Sequence, residues 1–186
     1  MTTIRVDFDQ DSWLYVPESW PWNGFENLDH WVATVCDLLG PAHQLDAATT
    51  AWLGTSLQAI AAERPDDESR FIYLAAPDRF LFFVSVLYNA ASDELTLEDL
   101  AAVNDPAATR TPESRPFVAP QLGAGIRSMR YVDTGGPDHD LAAIVQYAWK
   151  SGGLDIVVIA ADFNLVLVDE LLPVLDELAL SISVVA

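Results

Sequence analysis

The chain has 186 residues, of which 51% are hydrophobic, and its 28 acidic side chains outnumber its 9 basic ones to give a formal charge of −19. This length is typical of one domain, here spanning residues 1–186, whose core needs no disulfide or metal ion to hold it together. The negative charge repels phosphate backbones, so nucleic acid is excluded as an expected partner.

The first predicted elements are two short strands and a helix. Apolar and charged residues alternate over residues 4–9, which is typical of a strand with one solvent-facing side, and Trp13–Val16 is a second extended run. Because a turn separates the two runs, we expect them to form a hairpin. Asn27 is the expected N-cap of a helix over residues 28–39, and the Gly40–Pro41 pair predicts its end.

A second helix is predicted after Asp46, which is a suitable N-cap. Its expected buried face consists of Ala48, Trp52, Leu53, Leu57 and Ile60. Residues 64–70 are mostly charged and are predicted to form a polar loop. Strands then follow at Phe71–Ala75 and Phe80–Tyr88, and a short helix at Thr96–Val103 is capped by Thr96. The second of these strands is apolar on both faces, which favours a central position in a sheet.

Strands dominate the C-terminal half, after an irregular loop predicted over Asn104–Pro116. They are expected at Phe117–Ala119, Ile126–Asp133, His139–Lys150 and Leu154–Ala161, with a turn at residues 123–125 and a tight hairpin at Gly152–Gly153. A last helix is predicted over Pro173–Ile182, with Pro173 in its first turn and an apolar stripe at Leu175, Leu178, Ala179 and Ile182. Strands joined by hairpins, with helices grouped at the ends, indicate an α+β fold, in which helices pack on a mostly antiparallel β-sheet of about six to seven strands.

Two stretches resemble the PsbP-like fold, an α/β sandwich. The first is Val16-Pro17-Glu18-Ser19-Trp20, which follows a predicted strand and matches a "valine-proline, two residues, tryptophan" opening. The second runs from the strand Val145–Lys150 through Leu154–Ala161 to the helical segment Leu175–Ser181, and is similar to the closing strand pair and helix of that fold. The fold is shared by a photosystem II subunit, a Ran-binding nuclear-import factor and actinobacterial lipoproteins of the LpqN type. The resemblance implies an accessory or protein-binding factor without catalysis.

One short N-terminal stretch holds four of the six tryptophans and is the main candidate for a binding surface. Trp31 lies on the apolar face of a predicted helix, so we expect it in the core, and Trp13 alternates within a strand, so we expect it half-buried. Trp20 matches the opening tryptophan of the PsbP-like fold, which implies a structural role. Trp22 lies two residues later in a Pro-bounded loop, a spacing that puts both rings on one side of an extended segment. Trp22 and Phe25, with Trp20, are therefore the candidate partner-binding residues, and local packing is the alternative.

One stretch runs against the acidity of the chain. Four arginines and a single acid, Glu113, lie between Arg110 and Arg130. Arg127 and Arg130 fall on opposite faces of a predicted strand. Each is a candidate for binding a ligand or for pairing with an internal carboxylate, and the sequence leaves both open.

The sequence predicts no catalytic constellation, no metal site and no cofactor. Asp7, Asp9, Asp11 and Glu18 match the acidic positions of a calcium loop, but Ser12 replaces the glycine that makes its sharp turn. We expect these aspartates to line a solvent-facing strand edge, with calcium binding as the open alternative. The sequence contains neither a nucleophile elbow nor a phosphate-binding loop.

These observations predict a non-catalytic protein-interaction or accessory factor. The expected partner is another protein, with a basic protein and a second copy of the chain (a homodimer) as candidates. No membrane insertion is expected, because the apolar runs are far shorter than the roughly 20 residues of a spanning helix. A single cysteine, Cys36, and the lack of a recognisable signal peptide predict a cytoplasmic location. Two alternatives stay open: an acidic chaperone for a secreted or basic client, and a cofactor-free enzyme or small-molecule-binding protein with a pocket between sheet and helices.

Overall fold

The computed structural model describes residues 2–62, 68–135 and 140–185. Within these ranges the order is β1 (Thr3–Val6), β2 (Trp13–Val16), α1 (Leu28–His43), α2 (Ala47–Ala62), β3 (Glu68–Tyr73), β4 (Phe82–Ala90), α3 (Leu97–Leu100), β5 (Glu113–Ala119), β6 (Gly123–Asp133), β7 (Leu141–Ser151), β8 (Leu154–Asp162), α4 (Leu165–Leu180) and β9 (Ile182–Val185).

Seven strands form one antiparallel sheet in the order β2-β3-β4-β8-β7-β6-β5, and β1 pairs with β9 in a separate two-stranded ribbon. The structure therefore confirms an α+β fold with a mostly antiparallel sheet and helices packed on it. The strand predicted to be central, β4, has a neighbour on each side. Its continuous apolar run fits an interior position, because such a strand is covered on both faces.

The chain divides into two compact units, one formed by Gln10–Phe83 and the other by Met1–Asp9 with Val84–Ala186. In the unit Gln10–Phe83, α1 and α2 pack on β2 and β3 around an apolar cluster of Val16, Trp31, Val32, Val35, Leu53, Leu57 and Ile72. Burial of a large apolar side chain contributes roughly 1.5–3 kcal/mol, so hydrophobic packing holds the two helices on these strands.

In the other unit, α3 and α4 cover opposite faces of the sheet. The Tyr147 hydroxyl of β7 donates a hydrogen bond to Asp176 of α4, whereas the neighbouring Gln146 donates to the Leu100 carbonyl of α3. Because successive side chains of a strand point to opposite faces, these two bonds place the two helices on opposite sides. Each helix is thus tied to the sheet by a side-chain hydrogen bond from β7.

The predicted end of the first helix at Gly40–Pro41 is wrong. Helix α1 continues to His43, and Gln44, with a φ of 55°, ends it by donating its N–H to the carbonyls of Gly40 and Pro41. A proline in the last turn removes one helical hydrogen bond only, which the helix tolerates when a left-handed residue supplies the actual stop. The predicted N-cap is confirmed, since the Asn27 side chain accepts from the N–H of His30 at 2.9 Å.

The placement of Pro173 in the first turn of the last helix is also wrong. Helix α4 begins eight residues earlier, where the Asn164 side chain accepts from the N–H of Leu167 at 3.1 Å. Pro173 therefore lies mid-helix, and it deprives the carbonyl of Asp169 of its helical donor. Both residues are exposed, so water can satisfy that carbonyl. The predicted apolar stripe is confirmed as buried at Leu175, Leu178, Ala179 and Ile182, the last of which begins β9.

The predicted hairpin between the first two strands is wrong as well. β1 pairs with β9 at the other end of the chain, and β2 pairs with β3. Only a short turn separates β1 from β2 in the sequence, but each pairs with a strand that lies much further along the chain. Pairing of this kind depends on the whole fold, and no local pattern reports it.

Three further boundaries differ from the predictions. β3 begins at Glu68, inside the predicted polar loop, because the Glu68 carboxylate is buried and pairs with Arg70 at 2.7 Å. β5 begins at Glu113, inside the predicted irregular loop, and β6 begins at Gly123, where a turn was expected. The remainder of the predicted polar loop before Glu68 and the predicted strand start at His139 lie outside the described residues.

Candidate functional site

The aromatic hairpin, which we define as Trp22–Phe25, is the best-formed of the predicted binding features. Trp22 and Phe25 exchange backbone hydrogen bonds of 2.9 and 2.7 Å, and Asn23 and Gly24 between them have φ values of 43° and 89°. An Asn-Gly pair adopts these left-handed conformations readily, which explains the tight turn. The turn brings the rings of Trp22 and Phe25 into a stack, with centroids 6.1 Å apart and planes 8° apart.

One side of the aromatic hairpin is anchored to the strands beneath it. The Trp22 ring lies 5.5 Å from that of Tyr15 on β2, which in turn lies 5.5 Å from Phe71 on β3. Phe25 makes an edge contact with His30. Both hairpin residues are half-buried, and Phe25 also packs against the apolar cluster of α1 and α2. The geometry thus combines the two alternatives for Trp22, local packing and an accessible ring.

The third predicted member of this surface, Trp20, packs inward. Its ring lies 6.2 Å from that of the buried Trp31, and it joins the apolar cluster of α1 and α2. Trp31 is confirmed as core, and Trp13 is more deeply buried than expected, at 5% exposure. Of the four N-terminal tryptophans, Trp22 alone lies within the aromatic hairpin.

The chain segment that contains the aromatic hairpin is acidic and includes no basic residue other than histidine. Residues 10–62 contain no lysine or arginine, whereas they include the acids Asp11, Glu18, Glu26, Asp29, Asp37 and Asp46. Glu26 and Asp29 follow the hairpin directly and are exposed. Glu18 is held in place, because it accepts from the hydroxyls of Tyr15 at 2.8 Å and Ser69 at 2.6 Å. A stacked aromatic pair therefore lies in an acidic segment that contains no lysine or arginine of its own.

Arg127 lies on the α4 face of the sheet in a cluster centred on one carboxylate. Its Nη1 donates to both oxygens of Asp176 at 3.0 Å, the Tyr147 hydroxyl donates to the same carboxylate at 2.7 Å, and Arg115 approaches it at 3.4 Å. Burial raises the pKa of Tyr147, and the hydrogen bond and charge of Asp176 raise it further. Tyr147 therefore stays a neutral donor, and the cluster acts as a tie between sheet and helix.

Arg130 lies on the opposite face, as predicted, and it too is engaged. Its Nε lies 2.7 Å from the Asp105 carboxylate and its Nη1 donates to Gln146 at 2.9 Å, while the whole residue is 7% exposed. On the same face, Ser128 donates to the carbonyl of Ala101. These bonds hold the segment around α3 on the sheet, so both candidate arginines pair internally.

Trp52 and its neighbours form a surface feature that the sequence did not reveal. The predicted burial of Ala48 and Trp52 is wrong, since both are exposed, Trp52 at 42%. Trp52 borders an open depression of about 280 Å³ that is also lined by Ala48, Thr49, Asp78 and Arg79. Consecutive residues of a helix lie about 100° apart, so Trp52 faces solvent although its neighbour Leu53 is buried. Because α2 has no charged residue, the sequence pattern does not distinguish its exposed face from its buried face.

Residues 2–62, 68–135 and 140–185 contain no cluster of side chains suited to a metal ion and no helix suited to crossing a membrane. No three histidine, cysteine, aspartate or glutamate side chains there come together in a way that could hold a metal ion. Of the calcium-loop candidates, Glu18 is committed to the hydroxyls of Tyr15 and Ser69. None of the helices in these ranges is both long and apolar enough to cross a membrane.

Comparison of the chain with protein-family models, with curated proteins and with solved structures finds no significant match. The similarity to the PsbP-like fold accordingly stays a prediction.

Proposed function

We propose that this protein is a non-catalytic accessory factor that binds a basic protein partner through the aromatic hairpin. The observation that carries the proposal is the half-exposed, stacked pair of Trp22 and Phe25 within an acidic segment free of lysine and arginine. Aromatic residues are enriched at protein interfaces, where they supply rigid apolar area, and complementary charge steers association.

The chemistry of the surface favours a partner rich in lysine and arginine. A cation that lies over an accessible indole ring gains a cation–π interaction of roughly 0.5–2 kcal/mol. The exposed residues Glu26 and Asp29 follow the hairpin along the chain, and their negative charge attracts a cation to this segment. Aromatic face and carboxylates therefore select for the same partner chemistry.

The polar clusters of the other unit support a binding rather than a catalytic role. Arg127 and Arg130 are committed to Asp176 and Asp105, and Tyr147 is held neutral. Side chains paired in this way link secondary-structure elements, and none of these three is available to act as a nucleophile or a base. The similarity of two sequence stretches to the PsbP-like proteins, which are accessory or protein-binding factors, agrees with this proposal.

The proposal includes a cytoplasmic location. Cys36 is the only cysteine, it is half-buried against α2, and burial raises the pKa of its thiol. A chain of this kind needs no oxidising compartment for its stability. An acidic chaperone for a secreted or basic client remains the alternative role, which the charge of −19 favours, and it uses the same surface.

The test is affinity capture from lysate followed by direct binding measurements on the captured protein. We expect wild type to retain a basic protein that Trp22→Ala/Phe25→Ala loses, and we expect Glu26→Gln/Asp29→Asn to weaken binding about tenfold, corresponding to roughly 1.4 kcal/mol. Val166→Ala, which changes a residue 67% exposed in the other unit, is the matched control and binds like wild type. Circular dichroism establishes that each variant is folded. Equal retention by wild type and the double aromatic variant would overturn the proposal, as would a captured partner without excess positive charge.

A further inference from the structure

The connection from β4 to β5 is long and buries little apolar surface. We call its residues 92–105 the strap; it includes α3, and all of it lies within the described part of the chain. One strap residue, Ala101, is buried. Among the described residues, the backbone-to-backbone hydrogen bonds of the strap stay inside it, as from the N–H of Val103 to the carbonyl of Glu98. The strap therefore has no backbone ladder to the sheet and a single fully buried residue.

Polar side chains that project from the sheet hold the strap in place. Most of these bonds end on strap carbonyls, and the pairs are Lys150 with Ser92 and Leu95, Gln146 with Leu100, and Ser128 with Ala101. The strap itself contributes the Asp105 carboxylate, which lies 2.7 Å from Nε of Arg130. Because these bonds all end on one short segment, a movement of that segment away from the sheet breaks them together.

The part of the sheet beneath the strap is polar. The described ranges contain seven buried polar or charged residues, and four of them contact the strap, namely Ser128, Arg130, Gln146 and Asp155. Nε of Arg130 forms no hydrogen bond in spite of its ion pair with Asp105. When the strap opens, water can hydrogen-bond to all of these groups, so exposing them costs less than exposing apolar side chains.

Helix α4, on the opposite face of the sheet, is the internal comparison. Its six buried residues are all apolar, and they are Leu167, Val168, Leu171, Leu175, Leu178 and Ala179. On that face β7 presents Tyr147 and Trp149, which are at most 1% exposed. Detaching α4 would expose this apolar and aromatic surface to water, at a cost that grows with its area. The attachment of α4 is therefore mainly apolar, whereas that of the strap is mainly polar.

We propose that the strap is a gate, which opens as a unit while the sheet and α4 stay folded, and which uncovers Ser128, Arg130 and Gln146 when it is open. Segments with few buried apolar contacts are those that open locally, at a lower free energy than global unfolding. Opening also separates Arg130 from Asp105, so the open state presents a guanidinium, a hydroxyl and an amide together on the sheet. This device goes beyond the binding of a basic partner and does not involve the aromatic hairpin.

The test is hydrogen exchange of the full chain, followed for single amides by NMR. The strap amides of Leu100, Ala101 and Val103 are hydrogen-bonded in the closed state. After correction for the rates of unstructured amides, we expect them to share one opening equilibrium and to exchange at least about tenfold faster than the Leu175 amide of α4. Their exchange should depend little on dilute urea, because a local opening exposes little surface.

Asp105→Asn and Asp176→Asn form a matched pair of variants. Each leaves a buried arginine without its carboxylate, Arg130 with a side chain 8% exposed and Arg127 with one 11% exposed. Asp105→Asn should speed the exchange of the three strap amides by the same factor, at least about tenfold, because opening hydrates Arg130. Asp176→Asn should speed exchange in α4 and leave the strap unchanged, because the contact it loses is present in both the closed and the open state.

The gate is overturned if the strap amides of wild type exchange as slowly as Leu175 and with the same urea dependence. It is also overturned if Asp105→Asn leaves strap exchange at the wild-type rate or affects only the amide nearest to Asp105, or if Asp176→Asn speeds exchange in the strap and α4 alike. The urea measurement uses wild type alone, so the proposal can be contradicted even where a variant does not fold. Capture of a basic partner by the aromatic hairpin is unaffected by these results, so the two proposals fail independently.

Discussion

At the scale of single residues, burial separates ion pairs that distance alone would group together. Arg115 and Arg127 approach the same Asp176 carboxylate at 3.4 and 3.0 Å, but their side chains are 56% and 11% exposed. An exposed pair contributes roughly 0–1 kcal/mol to stability, whereas breaking a buried pair leaves an uncompensated charge and costs about 3–5 kcal/mol. The Arg127 pair is therefore the one that holds α4 on the sheet.

Asp176→Asn should lower the free energy of unfolding by about 3 kcal/mol, because the buried guanidinium of Arg127 loses its counter-charge while side-chain volume is kept. Urea denaturation followed by circular dichroism measures this change. Asp169→Asn, at an exposed position of the same helix, is the control and should stay within about 0.5 kcal/mol of wild type. Similar losses of unfolding free energy in the two variants would show that the Arg127–Asp176 pair contributes no more to stability than an exposed aspartate of α4 does.

At the scale of elements, the caps of the helices carry charge-dependent stability. Asp46 caps α2, and its side chain accepts from the N–H of Thr49 at 2.7 Å. This backbone hydrogen bond, joined by one from the Thr49 side chain, lowers the pKa of Asp46 below its ordinary value. A carboxyl group whose pKa is lowered by folding contributes stability that is fully present above its unfolded-state pKa and is lost as the pH falls through its folded-state pKa.

Asp46→Asn is expected to melt at a lower temperature than wild type at neutral pH, because asparagine keeps the cap acceptor but not its charge. The gap should close as the pH falls below about 3.9, the ordinary value for aspartate, and wild type becomes protonated. Thermal unfolding of both proteins across this range measures the difference. A gap that stays constant from neutral to acid would mean that the charge of Asp46 does not stabilise α2.

The elements that could be predicted from the sequence are those whose chemistry is local. Asn27 caps α1, the Thr96–Asp99 capping box begins α3, and Gly152–Gly153 adopt the positive φ values that join β7 to β8. Each signal consists of residues within a few positions of one another, so it acts in the same way in any fold. The turn of the aromatic hairpin belongs to this class, since the Asn-Gly pair specifies it.

The features that could not be predicted depend on contacts between distant parts of the chain. β1 pairs with β9 through residues such as Ile4 and Val184, which no local pattern connects. Glu68 begins a strand, although it lies in a charged run, because Arg70 neutralises it in a buried site. The depression beside Trp52 and Arg79 was missed for a different reason, since a helix without charged residues gives no contrast between its inner and outer faces.

At the scale of the whole molecule, the balance of charge opposes folding as well as association. The charge of −19 leaves most carboxylates without a cation, and the mutual repulsion of like charges destabilises a compact chain. Among the described residues, every lysine and arginine side chain except Arg79 is paired with one carboxylate. These cations are therefore not available to neutralise the remaining carboxylates. The repulsion that remains is spread over many exposed groups, and dissolved salt screens it.

Added sodium chloride should therefore raise the melting temperature at neutral pH by a few degrees between about 0.01 and 0.15 M, over which the Debye length falls from roughly 30 to 8 Å. The effect should vanish near the sequence pI of about 4.1, where the net charge is small. Calorimetry at several protein concentrations separates this effect from self-association, because an increase linked to association depends on protein concentration. An equal increase near the pI would assign the stabilisation to specific ion binding, since self-repulsion is small there.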